Sequence, residues 1–278
     1  MDKKTTAFLA GLVLAIAGHA AAPSGHTLAF EELWEPRTAA TGVFGIVTTH
    51  ELKPTADGSD PQQAWAANGI RGKWGTLRSL DGSVPGLPDV TGLGPNASWM
   101  TRNGKLFFHA APARSPGGAS TDGFALISGA TFSRTRRIVV EAELALTKGS
   151  HTAFVGLALV AGEGDYRELA LMRQADGKVT VDRFTPLRSN TLAKSKTDVT
   201  TVRIEYDPGD GFRYFANGQL IGKEALDHSG GHFSADPGVG LYFTGNPGVP
   251  DSFVEGFVGP VRVWVGEAAA ASSKAGRP

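Results

Sequence analysis

Short runs of alternating apolar and polar residues fill the chain from residue 137 onward, and this alternation is the strongest constraint on its fold. Because successive side chains of a β-strand point to opposite faces, such runs predict strands with one buried side. Each run ends at Gly, Asp, Asn or Pro, and no long helical period lies between them. The predicted strands are 137–146, 152–161, 166–173, 178–184, 200–206, 212–216, 239–244 and 259–265.

Turn signals between these runs predict that consecutive strands pair antiparallel. The clearest is Asn217-Gly218, since a two-residue type I′ turn needs positive φ at both central residues, which Asn-Gly tolerates. Further strands are predicted at 28–34, 105–110 and 124–129, among long connections rich in Gly and Pro. The fold class is therefore all-β, and strands recurring every roughly 8 to 12 residues favour a two-sheet antiparallel β-sandwich.

The N-terminus has the composition of a secretory signal peptide. Lys3 and Lys4 precede an uncharged apolar stretch that ends in three alanines at 20–22. This stretch is shorter than the roughly 20 apolar residues that span a bilayer. We expect residues 1–22 to be removed, 23–267 to form a single sandwich domain with long N-terminal loops, and 268–278 to be disordered. The expected location is the periplasm or the medium.

The charge balance argues against two classes of binding partner, and the cysteine content excludes stabilisation by disulfide bridges. The chain has 27 basic and 27 acidic residues, and removing Lys3, Lys4 and Asp2 with the signal leaves 25 and 26. This balance, without basic clusters, argues against a nucleic-acid partner and against docking on anionic lipid. Cysteine is absent, so stability must come from core packing rather than disulfide bridges. We expect a protein that does not insert into membranes.

Six segments carry a resemblance to a known superfamily. They are W-M-T-R-N-G-K-L-F-F-H at 99–109, R-I-V-V-E-A-E-L-A-L at 137–146, T-A-F-V-G-L-A-L at 152–159, Y-R-E-L-A-L-M-R at 166–173, R-Y-F-A-N-G-Q-L at 213–220 and V-R-V-W-V at 261–265. Their order resembles the concanavalin A-like lectin/glucanase superfamily, close in style to laminin-G-like and bacterial sugar-processing domains. The resemblance covers residues 99–266. It implies a jelly roll of two curved sheets whose concave face holds saccharide.

Strand parity sorts the polar side chains of these runs. Leu169, Leu171, Val202 and Ile204 fall on core-facing positions, which leaves the neighbouring charged residues on the other side. We therefore expect one polar sheet face, which would line a saccharide groove beside Tyr166 and Phe154. Its charged members are Glu168, Asp182, Arg203 and Glu205.

Two carboxyl groups on such a face are what glycoside hydrolysis needs, at roughly 5 to 5.5 Å for retention and about 6.5 to 9.5 Å for inversion. Glu168 with Glu205 or Asp182 is the expected catalytic set, with Arg203 as a binding residue. The alternative is a solvated face whose carboxylates form ion pairs with Arg203, Arg173 and Arg183.

The sequence thus predicts an exported carbohydrate-active protein that binds a poly- or oligosaccharide. Whether it also cleaves the sugar, as a glycoside hydrolase or other polysaccharide-degrading enzyme, stays open at this stage. The alternative function is a non-catalytic envelope domain that binds its partner like a lectin.

Residues 163–168, E-G-D-Y-R-E, match the letters E-x-D-x-x-E of family 16 glycoside hydrolases. In that family the motif lies within a strand, whereas here Gly162, Gly164 and Asp165 predict a turn before Tyr166. Glu163 is therefore expected in a loop, away from Glu168, and the match does not define a site.

Trp65 and Trp74 lie in a polar, Gly-containing segment and are the expected residues for stacking on sugar rings. The alternative is that each indole pins its loop to the core. No metal site is predicted and no cofactor is expected. Calcium is common in the superfamily, and Asp207 with Asp210 or Asp236 could supply oxygen ligands, although Asp-Pro-Gly-Asp-Gly is also an ordinary hairpin turn.

Overall fold

The structure is a computed structural model. It describes residues 22–34, 49–51, 74–79, 98–110, 113–114, 120–121, 123–162, 164–186, 188–195, 197, 199–226, 232–244 and 253–268. These residues contain strands and turns and no helix. In chain order the strands are β1 (His26–Glu32), β2 (Thr49–Glu51), β3 (Trp74–Ser79), β4 (Ser98–Arg102), β5 (Lys105–Ala110), β6 (Ala113–Arg114), β7 (Ser120–Thr121), β8 (Gly123–Thr131), β9 (Arg136–Gly149), β10 (Phe154–Gly162), β11 (Asp165–Arg173), β12 (Val179–Thr185), β13 (Arg188–Lys194), β14 (Val199–Asp207), β15 (Gly211–Ala216), β16 (Gln219–Ala225), β17 (Gly238–Thr244) and β18 (Val254–Ala268).

Two antiparallel sheets hold nearly all of these strands. The nine-stranded sheet has the order β16-β15-β14-β9-β18-β5-β4-β2, and β1 also pairs with β18. The seven-stranded sheet has the order β13-β12-β11-β10-β17-β8-β3, and β6 pairs with β7 separately. The predicted two-sheet antiparallel sandwich is confirmed, and it is the architecture that the resemblance to the concanavalin A-like superfamily implies.

The core lies between the inner faces of the two sheets. In the seven-stranded sheet every second residue of β10, β11 and β12 points into it, and β9 and β14 do the same from the other side. This alternation is the predicted one, because Leu169, Leu171, Val202 and Ile204 are all fully buried. The apolar area removed from water along these strands is the main force that holds the sheets together.

The hairpin between β15 and β16 follows its turn sequence. Asn217 and Gly218 have φ angles of 48° and 75°, as the type I′ turn requires. In contrast, β13 is a strand that the hydrophobic pattern does not indicate. Its residues Arg188 to Thr191 are exposed at the edge of the seven-stranded sheet, and an edge strand with little burial has no apolar alternation to read.

No helix within the described ranges is long and apolar enough to cross a membrane. The predicted signal peptide lies outside the described residues, apart from Ala22, and so does the predicted tail from residue 269 onward.

Candidate functional site

The outer face of the seven-stranded sheet, on the side away from the core, carries two carboxyl groups on adjacent strands. Leu169 in β11 and Val181 in β12 point into the core, so Glu168 and Asp182 point outward. The register pairs Ala170 with Asp182, which makes Glu168 a diagonal neighbour of Asp182, with Cα atoms about 7–8 Å apart. We call this surface the Glu168 face, and define it by Phe154, Gly156, Ala158, Tyr166, Glu168, Ala170, Met172, Thr180, Asp182, Phe184, Gly240 and Tyr242.

Both carboxyl groups are buried although they lie on an outer face. Glu168 is 4% exposed and Asp182 is 5% exposed. Glu168 Oε1 and Asp182 Oδ1 each have no hydrogen-bond partner among the described residues. A buried, unpartnered polar atom costs free energy, so it calls for a functional or structural reason.

Loss of water raises the pKa of Glu168 from 4.5 to about 8, because burial disfavours the charged form of a carboxyl group. Glu168 therefore holds a proton at neutral pH. The pKa of the neighbouring Tyr166 is also raised, mainly by burial and further by the charge of Glu168. Tyr166 and Glu168, both predicted as site residues, are thus brought together.

An aromatic pair crosses the Glu168 face. The rings of Phe154 on β10 and Phe184 on β12 stack with centroids 5.1 Å apart and planes 22° apart. Because β11 lies between these strands, the rings must reach toward each other across it. The residue midway between them in the register is Ala170, which is fully buried. Phe154, a predicted binding residue, therefore lies on the predicted face.

The prediction that Arg203 and Glu205 share this face is wrong. Both residues belong to β14, which pairs with β9 and β15 in the nine-stranded sheet. With Val202 and Ile204 turned to the core, Arg203 and Glu205 point outward from that other sheet. Parity correctly assigned each residue to an outer face, but the sandwich has two outer faces, one on each sheet.

Arg203 instead takes part in a row of charges across the nine-stranded sheet. The register aligns it with Glu141, then Arg262, then Glu31. Arg262 Nε lies 2.8 Å from Glu31 Oε1, and Arg203 Nε lies 3.2 Å from Glu205 Oε1. We call Arg203, Glu141, Arg262 and Glu31 the charge row. Burial raises the pKa of Glu141, and the two flanking guanidinium groups oppose that rise.

The alternative of a solvated face with ion pairs to Glu168 and Asp182 is also wrong. Arg183 points inward at the edge of the sandwich, where its Nη1 lies 3.3 Å from Glu224 Oε2. Arg167 Nε lies 2.8 Å from the other oxygen of Glu224, and the hydroxyl of Tyr214 donates to Oε2. Arg173 donates to backbone oxygens of Gly177 and Leu146. These cations therefore join the sheets rather than neutralise the Glu168 face.

Asp165 and Glu168 of the E-x-D-x-x-E match do not lie on the same side of β11. Glu163 lies outside the described residues, and Gly164 has a positive φ of 75°, as a turn before β11 requires. Asp165 is three residues before Glu168 and so falls on the opposite side of the strand. Its Oδ2 accepts hydrogen bonds at 2.6 Å from the backbone N and the Oγ of Ser234. Asp165 thus anchors a loop.

Trp65 lies outside the described residues, and Trp74 is the first residue of β3, where only the backbone is described. The carboxylates named for calcium each have protein partners. Asp207 accepts from Gly209 N and pairs with Arg137, Asp210 pairs with Arg213, and Asp236 accepts from Arg134 N. Across the described part of the chain no three His, Cys, Asp or Glu side chains are grouped to hold a metal ion.

Among the residues of the Glu168 face that were not predicted as site residues, Phe184 and Gly156 shape the surroundings of Glu168. Phe184 falls on the outward parity of its strand, and only the structure shows its contact with Phe154. Gly156 lies beneath the carboxyl of Glu168, and a methyl group added there would lie 2.7 Å from Cδ and overlap Oε1. An isolated glycine inside an apolar strand is the sequence signal that could have indicated this close approach.

No protein-family model matches the sequence, and no curated protein matches it. Solved structures do match. A β-1,3-glucanase from Mycobacterium marinum is 12% identical, over 87% of this chain and 100% of that chain, with a TM-score of 0.47. A putative β-glucanase from Mycobacterium abscessus is 14% identical, over 79% and 100%, with a TM-score of 0.45. The carbohydrate recognition domain of Emp47p is 10% identical, over 61% and 86%, with a TM-score of 0.41. All three TM-scores are below 0.5.

Proposed function

We propose that the Glu168 face binds a poly- or oligosaccharide and that Glu168 and Asp182 hydrolyse its glycosidic bond. The observation that carries the proposal is the pair of buried carboxyl oxygens on one sheet face, Glu168 Oε1 and Asp182 Oδ1, which have no hydrogen-bond partner among the described residues. Sugar hydroxyl groups are donors that would satisfy both oxygens. The aromatic side chains beside them offer apolar surface to the C–H faces of sugar rings.

Glu168 is suited to the role of general acid because it carries a proton at neutral pH. In the proposed step Glu168 gives this proton to the glycosidic oxygen as the bond from that oxygen to the anomeric carbon breaks. Asp182, as carboxylate, takes a proton from a water molecule whose oxygen bonds to the anomeric carbon from the other side. The products are the shortened saccharide and the released sugar end.

The placement of the two groups favours inversion of configuration. The carboxyl of Glu168 lies against Gly156 of β10, whereas Asp182 belongs to β12 on the other side of β11. Two strand spacings amount to about 9–10 Å, near the upper end of the roughly 6.5 to 9.5 Å of inverting enzymes and well beyond the retaining distance.

In the strand register the Phe154–Phe184 stack crosses β11 at Ala170, which lies between Gly156 and Asp182. A saccharide that touches both acids must therefore part the two rings or replace one of them. The proposed resting state is closed, which agrees with the low exposure of Glu168 and Asp182.

The test is release of reducing sugar from a broad polysaccharide panel by the full chain and by single variants. We expect Glu168→Gln to lower kcat by about 10²–10⁴-fold, the usual contribution of a general acid. Binding in affinity electrophoresis should persist in this variant. Glu205→Gln is the matched control on the other sheet, and should leave cleavage unchanged. Cleavage that survives Glu168→Gln, or an inactive and non-binding wild-type protein, would contradict the proposal.

A second candidate function is saccharide binding without cleavage, which the burial of both carboxyl groups favours. A protonated Glu168 can donate a hydrogen bond to a sugar oxygen without performing catalysis. This function predicts binding by the wild-type protein, weaker binding by Asp182→Asn, and no release of reducing sugar on any substrate. Export, and with it the periplasm or medium as location, belongs to the same proposal, and N-terminal sequencing of the mature protein tests it.

A further inference from the structure

Gly156 is the third residue of β10 and lies between the fully buried Val155 and Leu157. It pairs with Ala170 on β11, two residue pairs along from the pairing of Ala158 with Glu168. The side chain of Glu168 leans from β11 across to β10 and lies on Gly156. A methyl group there would lie 2.7 Å from Cδ and 3.0 Å from Cγ, and it would overlap Oε1.

Gly156 provides space for a neighbouring side chain rather than an unusual backbone conformation. Six glycines of the described chain have positive φ, and Gly156 is not among them, so its backbone conformation is open to any residue. Glycine in a strand interior weakens the strand and gives nothing to pack. The missing side chain is therefore used by the carboxyl group that fills its place.

We propose that Gly156 is the positioning residue of Glu168, because its missing side chain forms a seat that keeps the carboxyl inside the sheet face. The inference rests on the proposed role of Glu168 as proton donor, and it adds the residue that makes Glu168 fit for that role. The seat itself is a property of the chain without any ligand.

The groups around the seat support this assignment. The titratable side chains that face Glu168 within the described residues are Tyr166 on its own strand, Asp182 on β12 and Tyr242 on β17. None of them is a cation at neutral pH, so none favours the charged carboxylate. Exclusion of water is the cause of the raised pKa of Glu168, and the seat is the feature that holds the carboxyl away from water.

The experiment follows the titration of Glu168 in the full chain, by the pH dependence of urea unfolding and by carboxyl ¹³C chemical shifts. We expect Gly156→Ala to push the carboxyl out of its seat and lower its pKa by at least one unit. Gly162→Ala is the matched control in the same strand. A methyl group at Gly162 meets no atom within 4 Å, so this variant should titrate like the wild-type protein.

Two further variants keep the test decisive if Gly156→Ala folds poorly. Glu168→Asp is one methylene shorter and cannot reach the seat, so its carboxyl should also titrate at least one unit lower than that of Glu168. In Gly156→Ala/Glu168→Ala the overlap is gone, so the loss of stability caused by Gly156→Ala alone should disappear. An unchanged pKa in both Gly156→Ala and Glu168→Asp would overturn the inference.

These results separate the two proposals. A seat confirmed by titration in a protein that neither binds nor cleaves saccharide would leave the positioning role and remove the proposed function. If cleavage depends on Glu168 but the pKa of Glu168 is unchanged in Gly156→Ala, the proposed function would stand and the positioning role of Gly156 would be removed.

Discussion

The outer faces of the two sheets handle charge in opposite ways. On the nine-stranded sheet the charge row alternates Arg203, Glu141, Arg262 and Glu31, so that each carboxylate has a guanidinium beside it in the register. On the seven-stranded sheet Glu168 and Asp182 are more deeply buried, and each has one oxygen without a hydrogen-bond partner in the described part of the chain. Cross-strand ion pairs are an ordinary way to cover a sheet, whereas unpartnered buried acids are not. Both outer faces carry acids, and the candidate site differs from the charge row because its acids are not paired with cations among the described residues.

The largest expected effect concerns the pH dependence of stability. The folded-state pKa of Glu168, about 8, is above the unfolded value near 4.5. Stability from this group is therefore fully present below about pH 4.5 and is lost as the pH rises to about 8. The difference corresponds to about 3–5 kcal/mol across that window. Urea unfolding from pH 4 to 9 should show this slope in the wild-type protein and a much flatter one in Glu168→Gln. Equal slopes would mean that Glu168 is not held neutral, and the contrast between the faces would fail.

The charge row should respond to loss of a cation. Arg262→Ala removes the guanidinium between Glu31 and Glu141, and we expect it to lower the free energy of unfolding by about 2–3 kcal/mol, since the remaining charges stay partly buried. The pKa of Glu141 should rise further, because Arg262 lowers it in the wild-type protein. Denaturant unfolding measures the first effect, with Arg262→Lys as the control that keeps the charge. An unchanged free energy of unfolding in Arg262→Ala would show that the charge row does not stabilise the fold.

Removing one ring of the Phe154–Phe184 pair should expose the Glu168 face to water and so reduce its difference from the outer face of the nine-stranded sheet. Phe184→Ala removes one ring of the stack, which is half-buried, and should cost about 1–2 kcal/mol in the free energy of unfolding. Water should then reach the Glu168 face and lower the pKa of Glu168, which ¹³C shifts would follow. Phe184→Leu, which keeps apolar bulk, serves as the comparison. If Phe184→Ala leaves that pKa at about 8, the rings do not shield the carboxyl.

The smallest effect is expected for an exposed pair on the nine-stranded sheet. Lys148 Nζ lies 3.3 Å from Glu255 Oε2, with the lysine side chain 70% exposed. Lys148→Ala should change stability by under about 0.5 kcal/mol, and 0.5 M salt should abolish the difference. A larger effect would show that the exposure of an ion pair does not determine how much it contributes to the stability of this protein.

The sequence predicts each strand well where one side is buried, and poorly where it is not. The alternation over β11, β12 and β14 predicted their inward residues correctly, because burial in the core imposes the period of two. That period is local, whereas the choice of sheet depends on pairing between distant segments. Glu205 was therefore grouped with Glu168, although β14 and β11 belong to different sheets.

The candidate site was predictable only in part for the same reason. Glu168, Asp182, Tyr166 and Phe154 lie on the expected side of their strands. The stack of Phe154 on Phe184 and the seat at Gly156 arise from contacts between strands, which depend on register. A glycine in β10 could be noticed in the sequence, but the carboxyl that fills its space could not.

The position of β13 has a consequence for how molecules meet in concentrated solution. It is the outermost strand of the seven-stranded sheet, and a sheet edge can join the edge of another molecule through its free backbone groups. Arg188 and Lys194 stand at the two ends of this strand, and Ser189, Asn190 and Thr191 are exposed between them. If two such edges approached each other, their positive charges would repel, and little apolar surface would be buried to stabilise the contact. The low hydrophobicity that leaves β13 without an apolar alternation in its sequence thus also protects this edge against aggregation.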